Sequence, residues 1–226
     1  CIIDYTNSNI MYGALYYGNI RKSINGGNSF SSIAPASNGA WESPYVIDRN
    51  DHDILYAGYK ELYKTIDAGN NWNIITSNQT NGGKINEIAL SKSNQDVIYF
   101  SAGPNIYRTV DGGNNWTDIT NSLPYKTISY IAVHPTDENR VWVTFSGYTS
   151  GEKVYSSIDG GLNWQNISGT LPNIPINTIV LDESSNLQTL YIGSDLGVFT
   201  TDSTVSDWSG FNNNSLPNVI VSELEI

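Results

Sequence analysis

One eight-residue phrase returns down the chain. Ser23–Phe30 reads SINGGNSF, Thr65–Trp72 TIDAGNNW, Thr109–Trp116 TVDGGNNW and Ser157–Trp164 SIDGGLNW, while a fifth copy, Thr201–Trp208, keeps only its ends. The copies begin at 23, 65, 109, 157 and 201, steps of 42, 44, 48 and 44 residues, the period of a four-stranded propeller blade. A unit of that length cannot bury its own apolar face and needs stacked neighbours. The 226 residues therefore form one array rather than separate domains.

Each unit parses into four short strands. In the second they are 44–48, 54–58, 61–66 and 72–75; in the third 87–90, 97–100, 105–108 and 116–119; in the fourth 130–133, 141–145, 153–156 and 164–167. Runs of β-branched and aromatic residues bounded by Asn, Asp, Gly and Pro carry this reading. First strands are nearly continuous in apolar residues, which predicts burial on both faces. Within the phrase, Asp67, Asp111 and Asp159 are placed to accept backbone N–H groups of the turn between third and fourth strands. Gly69, Gly113 and Gly161 suit backbone angles that a Cβ forbids, and Trp72, Trp116 and Trp164 supply large apolar faces.

The pattern Ser/Thr-x-Asp-x-Gly-x-x-Trp resembles the Asp-box, or bacterial neuraminidase repeat, of sialidase-like propellers. Sialidases, xyloglucanases, sortilin-type receptors and photosystem assembly factors share it, so the likeness implies a fold and little about activity. It implies an all-β propeller of four-stranded antiparallel blades at about 1–34, 45–77, 86–120, 129–168 and 177–209, with 218–226 as the first strand of a sixth. Propellers of this kind usually close with six or more blades, so the chain is expected to be part of a larger one. Asn25 stands for Asp in the first copy, and Ser203 and Val205 for Asp and Gly in the fifth, which predicts looser hairpins there.

Lys and Arg number 11 against 22 Asp and Glu, a net charge of −11, the wrong sign for a nucleic-acid backbone or an anionic membrane. No apolar run approaches the roughly 18 to 20 residues that cross a bilayer. The single Cys1 excludes an internal disulfide or a cysteine cage for zinc. The chain begins inside a strand, as expected of a piece whose signal or anchor lies elsewhere.

Function should sit in the loops between blades and between second and third strands. Tyr16, Tyr17, Trp41, Tyr59, Tyr125 and Tyr148 fall there and offer aromatic faces to a sugar or a peptide, with Glu42 beside Trp41. The plainer account is that loop aromatics cover strand ends. Arg21, Arg49, Arg108 and Arg140 make no sialidase-like cluster. Glu42, Glu61, Glu152 and Asp195 are the loop acids that a xyloglucanase-like glycoside hydrolase would need as a facing pair. Asp48, Asn50, Asp51 and Asp53 are spaced like calcium ligands but read better as a solvated turn, like the turns holding His52 and His134. No metal or cofactor is expected.

Asn78, Asn115, Asn166 and Asn213 head glycosylation acceptor patterns, as chance provides in an Asn-rich chain. Residues 14–23 and 39–48 are similar to Asp-box segments of large secreted bacterial surface proteins that use a type IX export route. The reading is an extracellular, non-catalytic propeller module that binds carbohydrate or protein through its loops, alongside other blades or domains of its parent. The rivals are a glycoside hydrolase fragment and a spacer in a surface fibre.

Overall fold

The computed structural model describes residues 1–205, 207–211 and 218–226. They form five four-stranded antiparallel sheets, each in simple sequence order. The first contains Ile2–Ile3, Met11–Leu15, Asn19–Ser23 and Ser31–Ser32 (β1–β4); the second Tyr45–Ile47, Leu55–Gly58, Leu62–Thr65 and Asn73–Ile74 (β5–β8). The third contains Glu87–Leu90, Ile98–Ala102, Asn105–Thr109 and Thr117–Asp118 (β9–β12). The fourth contains Ile128–His134, Asp137–Phe145, Val154–Ser157 and Gln165–Asn166 (β13–β16), and the fifth Ile176–Leu181, Leu190–Ser194, Gly197–Thr201 and Ser209–Gly210 (β17–β20). Among the described residues the only helical element is a 3₁₀ turn, Tyr16–Gly18. This is the all-β architecture of propeller blades, and one blade follows each repeat.

The chain falls into two compact units, Cys1–Gly103 with Thr109–Thr117, and Pro104–Arg108 with Asp118–Ile226. In the first, Tyr12, Ile47 and Leu55 are buried together and Ile20, Ala57 and Tyr59 form a second cluster, with Ile33, Tyr45 and Trp72 packed against both. In the second, Trp142, Val154, Ile176, Ile179, Ile192 and Trp208 belong to one larger cluster.

Burial differs from the expectation for first strands. The second strands β6 and β10 are buried along their whole length, whereas β5 and β9 are only partly covered. A second strand has a hydrogen-bonded neighbour on each edge, while a first strand keeps one edge unpaired. The fourth blade also runs longer than its sequence suggests, because β13 and β14 pair from Ile128↔Phe145 down to His134↔Asp137, leaving Pro135 and Thr136 as the turn.

The repeated hairpin is closed by its acid. Asp67 Oδ1 accepts the Asn71 amide N–H at 2.8 Å and the Thr65 hydroxyl at 2.7 Å, and its Oδ2 accepts Asn71 Nδ2 at 2.7 Å. Asp111 and Asp159 make the same bonds to Asn115 and Asn163. These bonds, first those from the Asn side chains, hold all three carboxyls at about 2 against an ordinary 3.8. Asn25 keeps the frame that was expected to loosen, its Oδ1 accepting Ser29 N at 3.0 Å. In the fifth copy the frame is not found among the described residues: Asp202 instead caps Thr204, through its N–H at 2.7 Å and its hydroxyl at 2.6 Å.

The box tryptophans reach across to the preceding blade. Trp72, Trp116, Trp164 and Trp208 each donate Nε1–H to a carbonyl there, Ile33, Ile75, Ile119 and Ile167, at 2.8, 2.6, 2.8 and 2.7 Å. The first three of these isoleucines lie under the box glycines Gly69, Gly113 and Gly161. Gly161 has φ +90°, and a Cβ on it would stand 2.4 Å from Ile119 Cδ1. The indole thus clasps one blade to the next, and the glycine lets the two come close.

Candidate functional site

The clearest exposed constellation lies in the first unit. Between β2 and β3 the 3₁₀ turn throws Tyr16 and Tyr17 outward, with Tyr17 itself left-handed at φ +63°. Gly18 follows at φ +75°, and a Cβ there would enter the ring of Tyr59 at 2.5 Å. The loop between the first two blades crosses this turn as a strand would: Tyr17 N–H donates to Trp41 O at 3.3 Å, and Gly39 N–H donates to Tyr17 O at 3.0 Å. Lys84 Nζ donates to the Gly39 carbonyl from the far side.

That backbone frame sets three rings side by side. Tyr16 stacks on Trp41 with centroids 4.2 Å apart and planes at 28°, and Tyr17 meets Trp41 edge-on at 5.4 Å and 89°. The three are 61%, 56% and 55% exposed in the order Tyr16, Trp41, Tyr17, and Leu15 is exposed beside them. Glu42 is exposed next in sequence. The three rings and Leu15 thus form one contiguous exposed apolar face.

Tyr59 stands apart from the other candidates. It is buried, its hydroxyl donates to the Gly18 carbonyl, and burial pushes that phenol up to about 12. It props the turn that carries Tyr16 and Tyr17 instead of presenting a face. In the second unit Tyr125 and Tyr148 are both well exposed on separate loops.

The loop acids hold their own loops. Glu61 accepts the Thr76 hydroxyl and the Asn78 amide N–H, Glu152 pairs with Lys126, and Asp195 accepts Asn177 Nδ2 at 3.1 Å. Beside Glu152, Lys153 is buried and donates to the Gly147 carbonyl at 2.6 Å; burial, then the Lys126 charge, lowers its pKa. The acidic turn of the second blade closes on itself: Asp48 Oδ1 accepts the N–H groups of Asn50 and Asp51 and Gln95 Nε2, and Asp51 accepts Asp53 N–H. His52 bonds Asp4 at 3.0 Å from that turn, whereas His134 turns back on Thr136.

Of the glycosylation acceptors, Asn115 and Asn166 have their amide nitrogens in hydrogen bonds, to Asp111 Oδ2 and the Gly151 carbonyl. Asn213 lies outside the described residues. The roles of Gly39 and Lys84 in building the shelf have no signature in the sequence, since both act across 22 or more residues through backbone carbonyls.

A family profile described as Sortilin-Vps10 (Sortilin, neurotensin receptor 3) matches residues 60–168. No curated protein matches the chain. Among solved structures, the GH74 xyloglucanase from Xanthomonas campestris superposes with a TM-score of 0.72 at 13% identity, covering 93% of this chain and 37% of that one. YCF48 bound to D1 peptide gives 0.61 at 14% identity, over 90% and 63%. The extracellular domain of a putative one component system from B. thetaiotaomicron gives 0.65 at 17% identity, over 98% and 29%. The chain spans about a third of the length of the xyloglucanase and of the extracellular domain. At these identities the likeness is one of fold. The chain is an Asp-box β-propeller, of the kind found in sortilin-like and xyloglucanase structures.

Proposed function

We propose that this propeller is a non-catalytic, extracellular binding module whose aromatic shelf, Tyr16, Tyr17 and Trp41 with Glu42 at its side, takes a carbohydrate or a protein surface. The observation that carries the reading is the exposed stack of Tyr16 on Trp41, fixed from below by Tyr59 and Gly18. A pre-set aromatic face costs little conformational entropy on binding and suits the C–H face of a sugar or an apolar peptide side chain. Tyr125 and Tyr148 are proposed as secondary contacts on the second unit. Similar propellers include one bound to a peptide and one that acts on xyloglucan, so both ligand classes are represented on this fold.

The tail belongs to the same proposal. Val221 N–H donates to Ser194 O at 3.0 Å, just as Ile85 N–H donates to Tyr59 O at 2.8 Å where the second blade hands over to the third. Gly193 lies under Val221 as Gly58 lies under Ile85. By this likeness we read 218–226 as the first strand of a sixth blade, with 223–226 answering to β9, although no residue of that stretch is in a strand here.

The test is binding of a glycan panel and a peptide library by the folded module and by Trp41→Ala. Loss of a specific ligand with an unchanged melting temperature supports the shelf. Binding unaltered by Trp41→Ala, Tyr16→Ala and Tyr17→Ala together sinks it.

A further inference from the structure

In the second unit the fourth and fifth blades do not close on each other as two other pairs of blades do. On the first blade Lys22, paired across the strands with Tyr12, sends its Nζ over to the Ala68 carbonyl of the next box at 3.0 Å. At the join of the third and fourth blades Arg108 fills the same place, where a Cβ on Gly160 would lie 1.9 Å from its Nη1, and it donates to Asn139 Oδ1 at 2.6 Å. The equivalent residue of the fourth blade, paired with Trp142, is Ser156, which is too short to cross. On the opposite wall the box has lost its glycine to Val205. Trp208 still clasps Ile167, but between these two changes a cavity of about 420 Å³ stands open.

Its lining has a definite chemistry. The guanidinium of Arg140 lies 5.4 Å over the Trp142 ring, taking the place that the ammonium groups of Lys22 and Lys64 hold over Tyr12 and Tyr56. In a chain with twice as many acids as bases, Arg140 shares this lining with two acids. The two acids of the lining are engaged within the protein: Asp202 by Thr204, and Asp207 by the N–H and hydroxyl of Thr170 at 2.9 and 2.6 Å. Gln165, Gln188 and Ser203 add amides and a hydroxyl, and Ile158 and Val205 stand exposed on the two walls.

We infer that this cavity is a subsite for an acidic sugar, with the carboxylate of a uronate residue on the Arg140 fork and its hydroxyl groups on the glutamine amides. A guanidinium takes a carboxylate in two parallel bonds. Amides and hydroxyls that both donate and accept match a ring of hydroxyl groups, and the aliphatic walls match its C–H face. The volume lies in the range of small-ligand sites, roughly 300 to 1,000 Å³. A peptide is a poorer fit: the adjoining edge strand β16 is two residues long, too short to pair with an added strand, and both indoles are too deeply buried to form an anchor pocket. The inference is independent of the shelf, which lies on other residues of the first unit.

Titration calorimetry with galacturonate trisaccharide, a neutral galactose trisaccharide and a tri-glutamate peptide decides it. Uronate binding that weakens tenfold or more in Arg140→Gln, and that is lost in Ser156→Arg while Trp41→Ala leaves it intact, is the expected result. Ser156→Arg restores a side chain of the kind that plugs the joins of the first with the second and the third with the fourth blade, so it should keep or raise the melting temperature. No uronate binding, equal affinity for the neutral sugar or the peptide, or indifference to both Arg140→Gln and Ser156→Arg would overturn the inference.

Discussion

Gly161→Ala tests the close approach of the blades. The residue sits at φ +90°, so a Cβ there carries a left-handed penalty of about 1 to 2 kcal/mol. The same Cβ would lie 2.4 Å from Ile119 Cδ1 and 3.1 Å from its Cβ, an overpacking that adds about 1 to 3 kcal/mol. The sum is about 2 to 5 kcal/mol. Gly147 in the same unit supplies the control, with φ +95° and nothing within 4 Å of its added Cβ, so Gly147→Ala should cost only the first part. With a urea slope of about 2 to 3 kcal/mol per M, Gly161→Ala should lower the unfolding midpoint by about 1 to 2 M, well beyond the control. Ile119→Val removes the atom that clashes most, so the double variant should be less destabilised than the two single changes summed, by about 1 kcal/mol or more. Equal midpoints for Gly161→Ala and Gly147→Ala, with no coupling to Ile119, would refute a glycine dictated by blade packing.

Other outcomes follow from the same geometry. Asp67, Asp111 and Asp159 are held at about 2 against 3.8 when unfolded, so the stability they contribute is complete above about pH 4 and is lost as pH falls towards 2. Urea midpoints measured from pH 5 to 2 should show that decline, and it should be blunted in Asp67→Asn with Asp111→Asn and Asp159→Asn. Trp208→Phe removes the indole N–H from the Ile167 carbonyl and should destabilise the second unit by about 1 to 3 kcal/mol in chemical denaturation. Tyr59→Phe strips the bond to the Gly18 carbonyl and should weaken any ligand held by the shelf, which binding titration reads, without touching that ligand.

The fold was legible because its determinants are local. The box bonds join residues two to four apart, so the hairpin is written in consecutive letters, and its spacing gave the blades. What the letters do not carry is the partner across a seam. Tyr59 looked like a loop aromatic of the same standing as Tyr16, but its ring is pinned by Gly18, 41 residues away. Trp72 looked like packing bulk, yet its N–H has a fixed acceptor 39 residues back. The cavity of the fourth and fifth blades was half visible: Val205 broke the repeat openly, while the shortness of Ser156 shows only once Lys22 and Arg108 are seen to cross two other joins.

The indole clasp recurs with partners 39, 41, 45 and 41 residues apart and always points to the blade before it. Every joint therefore uses one fitting, read in one direction, whatever unit stands on either side. A gene that duplicated or dropped a whole repeat would present matching halves at the new boundary and need invent no contact. Such an assembly can change its count far more readily than it can change its joint.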